Sequence, residues 1–352
     1  MSRKTAATID LSALAHNFVD VAKRNPSSRH LAVIKADAYG HGAVQVAQAL
    51  HGKADGLAVA FVDEAQQLRD AGIDSFIVLL EGVFSKEELA WAAQHNTAVV
   101  FHTEEQFEWL MELPKPHPAI WLKVDTGMHR LGFLPNEIPS VMARYKSLFD
   151  DNTVLFSHMA CADEMYSQHA ASQLQLLQEV NTDLSLPVSV ANSAGIISWP
   201  NAQGAWNRIG IAMYGGDCGN PDFTPLPVMS LRAPVIGLRT IPSGDSVGYG
   251  ANWTAQRPTR IATVAIGYAD GYPRHAPNGT PAWLNNHRIE LVGRVSMDMV
   301  TFDVTDVESV SIGDHVELWG KHQSVTEVAE TIGTIDYELM TRVSGRVPRL
   351  YR

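Results

Sequence analysis

Along the first two-thirds of the chain, short apolar runs alternate with segments whose apolar residues recur every three or four positions. The runs predict eight strands, at residues 31–35, 57–60, 76–80, 98–102, 120–124, 154–158, 188–191 and 206–209. Segments between them, such as 42–50, 62–71, 86–94, 104–112 and 167–181, carry helical spacing. Asp63 and Ser85 precede two of these as caps, with Glu87 and Glu88 in the first turn of the second. Eight strands separated by helices are the signature of a (β/α)8 TIM-type barrel. An open doubly wound sheet is the alternative. No Gly-x-Gly-x-x-Gly follows the first strand, so the dinucleotide fingerprint is missing.

After about Asp217 the texture changes. Residues 218–227 are rich in Gly, Asn and Pro and read as a linker. Beyond them come β-branched runs at 235–241, 260–266, 288–292, 299–304 and 315–319, interrupted by one helix at 324–332. This predicts a mainly β C-terminal domain. Residues 5–9 also read as a strand and could join that domain, while Asp10 or Ser12 starts the barrel's first helix. The expected division is a barrel over 10–222 and a β domain over 223–352, with residues 1–9 as its extra strand.

Composition narrows the function. Of 352 residues, 27 are Lys or Arg and 38 Asp or Glu, a formal charge of −11. That balance argues against nucleic acid or an anionic membrane as the main partner, so any bound anion needs a local cluster. The two cysteines, Cys161 and Cys218, form no CxxC or Cys/His spacing and support neither a redox motif nor a metal site. A single disulfide and two free thiols are both open, the thiols fitting a reducing compartment. There is no signal-type apolar core after the first residues and no run long enough to span a bilayer, so a cytoplasmic location is expected.

In such barrels the chemistry sits at the C-terminal ends of the strands. Lys35 ends the first strand and leads into Ala36-Asp37-Ala38-Tyr39-Gly40-His41-Gly42. A strand-end lysine either snorkels into water or, when buried, becomes a nucleophile or Schiff-base former. The fifth strand runs through Lys123 towards Arg130; the sixth ends at His158, the seventh at Asn192-Ser193, and the eighth at Arg208-Ile209-Gly210. Ser193 and the amides of Gly210 and Ile211 fall where barrels bind phosphate. Ser193 also reads as the cap of a short helix. A Schiff-base lysine, a phosphate cradle and an arginine together suggest pyridoxal 5'-phosphate (PLP). An arginine at the pyridine nitrogen leaves it unprotonated and weakens the electron sink, which suits simple proton exchange at Cα.

The second half supplies Val247-Gly248-Tyr249-Gly250, Gly267-Tyr268-Ala269-Asp270-Gly271-Tyr272-Pro273-Arg274, Gly293-Arg294-Val295-Ser296-Met297-Asp298 and Asp336-Tyr337-Glu338-Leu339. By itself Tyr249 reads as a hairpin-tip aromatic, and the longer segments as turn chemistry. Together with residues 33–42, 122–132, 157–163 and 208–215, however, they resemble in order the motifs of the bacterial alanine racemases, over essentially the whole length. Asp37 stands where many relatives have Asn.

The resemblance implies a PLP-dependent racemase interconverting L- and D-alanine and supplying D-alanine for peptidoglycan. Lys35 would hold PLP and act as base on the D-face of Cα. Tyr249 of the partner subunit would act on the L-face. Tyr39, Ser193, Gly210, Ile211 and Tyr337 would hold the phosphate, with Asn192 nearby, and Arg208 would face the ring nitrogen beside His158. Arg130 and the amide of Met297 of the partner subunit would bind the substrate carboxylate, Arg130 also reaching the cofactor's phenolic oxygen. Tyr268 would narrow the entry. Lys123 matches a position carbamylated in some relatives.

Racemisation needs two groups on opposite faces of Cα, and one lysine cannot reach both without moving. Free Lys and Tyr titrate near roughly 10, so both need tuning to work at neutral pH. If Tyr249 comes from the partner subunit, a homodimer with two shared sites follows. Other readings are a serine or broad-specificity racemase, a PLP decarboxylase of the same fold type, and a non-catalytic PLP carrier. Such carriers are single barrels, so the second domain counts against the last.

Overall fold

The computed structural model describes residues 3–352. Eight short strands form one all-parallel sheet: β2 (Arg29–Val33), β3 (Gly56–Val59), β4 (Ile77–Leu79), β5 (Thr97–Phe101), β6 (Ala119–Lys123), β7 (Val154–Phe156), β8 (Val188–Ser189) and β9 (Trp206–Ile209). They neighbour in the order β8-β7-β6-β5-β4-β3-β2-β9. The strand residues are buried almost throughout, because helices cover one face and the barrel interior the other. Leu-Ala-Val and Ala-Val-Val-Phe therefore read as unbroken apolar runs rather than as alternation. Closure between β8 and β9 rests on a hydrogen bond from Arg208 N to Ala191 O (3.0 Å) in place of a ladder. Aromatic rings fill the lumen: Trp206 lies 5.8 Å from Trp121 and 5.6 Å from Phe76, between ring centroids.

The second sheet is mostly antiparallel. It contains β1 (Ala6–Ile9), β10 (Met229–Ile241), β11 (Thr259–Val264), β12 (Pro281–Leu284), β13 (His287–Leu291), β14 (Val300–Asp303), β15 (His315–Trp319) and β16 (Arg349–Tyr351). The amino-terminal strand β1 pairs antiparallel with β10 and parallel with β16, tying both chain ends into this sheet. Asp10 then caps the first barrel helix, Leu11–Ala22, accepting from Ala13 N at 2.9 Å.

Several elements depart from the sequence expectation. The ladder of β2 stops at Val33, so Lys35 lies beyond the strand, at the start of a turn. Asp63 is not a cap. It lies inside helix Val62–Asp70, whose N-cap is Phe61, with Glu64 reaching back to accept from Phe61 N (3.3 Å) and Ala60 N (2.7 Å). Asn192, not Ser193, caps helix Ser193–Ser198, accepting from Gly195 N at 2.9 Å. The β12–β13 hairpin was not anticipated, although Asn285 and Asn286, both at positive φ, make the two-residue turn such hairpins favour. Helices Ile138–Arg144 and Asp336–Thr341 are too short to show a period. Both cysteines are free thiols. No helix among the described residues is long and apolar enough to cross a membrane.

Candidate active site

Past β2 the backbone does something unusual. Ala36, Asp37, Ala38 and Tyr39 all take left-handed conformations, with φ between 51° and 53°. Each such residue carries roughly 1–2 kcal/mol of strain, because Cβ crowds the following carbonyl. Strain of this kind persists only where the surroundings over-determine it. Here Ala36 N donates to Glu64 (2.6 Å), Ala43 N to Asp37 Oδ1 (2.8 Å) and Arg349 Nε to Gly40 O (3.0 Å). Tyr214 Oη donates to Val33 O at 2.9 Å. The turn holds Lys35 at the barrel mouth and packs Tyr39 edge-on against Tyr214 and Tyr337.

A cavity of about 250 Å³ opens there. Lys35, Tyr39, Arg130, His158, Asn192, Ser193, Arg208, Gly210, Ile211 and Tyr337 all line it, as does Lys123. Every barrel residue and Tyr337 thus meet in one place. Tyr249 and Met297 do not. They sit on the β domain outside this cavity, 69% and 53% exposed.

Arg208 is the most tightly held group. Nη1 donates to Ser189 Oγ (2.8 Å), and Nη2 reaches Ser157 O, His158 Nδ1 and Val190 O at 3.0–3.1 Å. The guanidinium lies 4.4 Å over the Phe156 ring. Burial lowers its pKa to about 9, which still leaves it charged at neutral pH. His158 Nδ1 must accept from this donor, so the imidazole proton belongs on Nε2. Burial, then the charges of Arg208, Lys123, Arg130 and Lys35, push His158 well below the ordinary range and keep it neutral.

The phosphate-type end is built from neutral donors. Ser193 Oγ accepts from Gly210 N (2.9 Å) and Ala212 N (3.3 Å), which frees its own hydrogen to donate outward. The Gly210 amide is therefore already used within the protein, whereas that of Ile211 has no acceptor among the described residues. A Cβ on Gly210 would lie 3.0 Å from Tyr39 Oη, so only glycine leaves the phenol clear. Burial raises the pKa of both Tyr39 and Tyr337, keeping the two hydroxyls protonated as donors. Arg130 pairs with no carboxylate among the described residues.

One cavity residue was missed. Glu81, 3.5 Å from Lys35 Nζ, is the single carboxylate against four basic side chains. It stands two residues past the end of β4, as Lys35 and His158 stand two residues past the ends of their strands, so the strand-end rule that found them would have found it too. With one carboxylate facing Lys35, Lys123, Arg130 and Arg208, the cavity suits a strongly anionic guest. Neutral donors gather at one end, and an Arg208 Nε without an acceptor among the described residues is available inside. These features fit a pyridine ring carrying a phosphate ester. No cluster of His, Cys, Asp and Glu that could hold a metal occurs among the described residues.

Two family models match, alanine racemase N-terminal domain over residues 9–218 and alanine racemase C-terminal domain over 228–351. The chain is 50% identical to an alanine racemase of Alteromonas mediterranea, covering all of this chain and 99% of that one. The biosynthetic alanine racemase of Pseudomonas aeruginosa superposes with a TM-score of 0.95 at 44% identity, covering 99% of each chain. That of Bartonella henselae, solved with covalently bound pyridoxal phosphate, gives 0.92 at 32% identity, again over 99% of each.

Proposed function

The chain belongs to the alanine racemase family and is a PLP-dependent racemase acting on alanine; we propose that Lys35 and Tyr249 of the partner subunit are its two proton-handling groups. The observation that carries this is the split of the expected residues. All the residues expected to hold the cofactor line one cavity, while Tyr249 and Met297 stand exposed on the other domain. A homodimer that lays one chain's β domain (223–352 with 1–9) over the other's barrel (10–222) would complete both sites.

When bound, PLP supplies an electron-accepting ring and a carbonyl carbon for amine attachment. Lys35 would hold it through Nζ. Tyr39, Tyr337, Ser193 Oγ and the Ile211 amide would hold the phosphate, with Gly210 providing room and Asn192 fixing the helix start beneath it. Arg208, a donor that stays charged, offers no acidic carboxyl to the ring nitrogen. Arg130 and the Met297 amide of the partner subunit would take the substrate carboxylate. Once the substrate amine has taken the place of Lys35 on the cofactor's carbonyl carbon, the freed Nζ would exchange a proton on the D-face of Cα, and Tyr249 Oη of the partner subunit on the L-face. Neutral His158, fixed by Arg208 through Nδ1, would offer its Nε2–H as a donor to the phenol oxygen of the partner's Tyr249.

The test uses deuterium washout from Cα in Tyr249→Phe. D-alanine should still exchange its Cα hydrogen through Lys35, while L-alanine exchange and racemisation are lost. Full racemisation in Tyr249→Phe would sink the two-group reading.

A further inference from the structure

Met297 lies in the loop between β13 and β14, and both peptide groups around it are clamped by one short turn. Tyr268 N donates to Ser296 O and Ala269 N to Met297 O, each at 3.0 Å. In a trans peptide the C=O and the following N–H point in opposite directions. With the Ser296 carbonyl turned toward residues 268–270, the Met297 N–H is forced away from them. It has no acceptor among the described residues. The direction of this amide is therefore set by where the 268–270 turn sits. The two segments touch closely, since a Cβ on Gly267 would lie 2.3 Å from Met297 O.

One carboxylate fixes that turn. The Asp270 side chain is fully buried. Oδ2 accepts from Gly267 N (3.0 Å) and Arg3 Nη1 (2.9 Å), and Oδ1 from Arg3 Nη2 (2.7 Å). Arg346 Nε lies 3.5 Å from Oδ1, and Arg346 Nη2 continues to Asp298 Oδ1 (2.7 Å), beside Met297. The backbone joins in, with Ser344 N donating to Asp270 O (2.9 Å). Asp270 and Arg346 thus close a ring of contacts that grips the Met297 loop from both sides. Neither residue lines the cavity.

We propose that Asp270 is a positioning residue that acts in trans: it aims the Met297 amide at the substrate carboxylate in the partner's site, an inference that rests on the shared site proposed above. Asp270→Asn keeps the size and one acceptor but removes the charge that pairs with two guanidiniums. KM for L-alanine should rise about tenfold with kcat within about twofold of wild type, the pattern of lost carboxylate binding. The inhibition constant of propionate, a substrate-sized carboxylate without an amine, should rise in parallel. Arg3→Gln, at a partly exposed position, leaves Asp270 with Arg346 and should give a smaller shift in the same direction. It also serves if the Asn variant folds poorly. Wild-type KM in both variants overturns the proposal.

The decisive arm is a mixed dimer of an Asp270→Asn chain, or an Arg3→Gln chain, with a Lys35→Ala chain. Its one competent site pairs the variant's barrel with an intact β domain, so KM should return to the wild-type value. A KM still raised there overturns the role in trans. A Tyr249→Phe chain paired with a Lys35→Ala chain is the control. If that pair is inactive, the shared site itself fails and this role with it. If it is active while KM stays raised, only the role of Asp270 fails.

Discussion

Replacing Lys123 with methionine should make the protein more stable at neutral pH and flatten its stability profile between pH 7 and 10. Lys123 is 6% exposed, and its Nζ donates to none of the described residues while lying 4.6 Å from the Phe156 ring centroid. Burial, followed by the charges of Arg208 and Arg130, lowers its pKa from 10.5 to about 7. In the unfolded chain the amine keeps its proton up to about 10.4. Between the two values the unfolded state binds more protons, so stability rises with pH through that window and is lost as pH falls to 7. The interval is worth about 5 kcal/mol at roughly 1.4 kcal/mol per pH unit, with about 4 kcal/mol still felt at pH 7. Methionine has a similar length and no charge to desolvate. Lys123→Met should therefore gain up to about 4 kcal/mol at pH 7, shrinking toward zero near pH 10. The assay is urea unfolding of cofactor-free protein at a series of pH values, read by tryptophan fluorescence. Trp121, buried on the same strand, is a natural reporter. Carbonate is kept out of the buffers, because a neutral lysine amine takes up carbon dioxide. Parallel curves for the two proteins, or a less stable variant at pH 7, would refute the reasoning.

Two other substitutions probe the cavity. Gly210→Ala places a methyl 3.0 Å from Tyr39 Oη and should weaken PLP retention about tenfold or more, measured as the dissociation constant by fluorescence titration; unchanged affinity contradicts the packing argument. His158 is kept neutral by burial and four cations, so its contribution to stability is complete above the unfolded histidine pKa of about 6.5 and is lost as pH falls below it. His158→Gln, which can still accept from Arg208, should move the acid-unfolding midpoint to lower pH; an unmoved midpoint means the ring is not held neutral.

Much of the barrel was legible because parallel strands buried on both faces leave unbroken apolar runs, and their ends mark one rim. That rule assembled Lys35, His158, Asn192, Ser193 and Arg208, the phosphate position after the last two strands added Gly210 and Ile211, and the loop after the fifth strand carried Arg130; applied once more, the strand-end rule would have added Glu81. The left-handed turn at residues 36–39 was not legible. Ala, Asp and Tyr carry no strong preference for positive φ, and the conformation is imposed by Glu64, Arg349 and Asp37's own capping of Ala43. Asn192 displaced Ser193 as cap because Ser193 Oγ is spent on the Gly210 amide, a contact 17 residues away in sequence. The Asp270 network was hidden for the same reason, since it joins Arg3 to residues some 270 and 340 positions later.

In the proposed dimer each site takes Lys35 from one chain and Tyr249 from the other. Lys35→Ala and Tyr249→Phe chains, each inactive alone, should regain activity when unfolded together and refolded as mixed dimers. Random pairing makes half the dimers mixed, each with one intact site, so racemisation should return to roughly a quarter of the wild-type rate. A mixture as inactive as its parents would contradict the shared site.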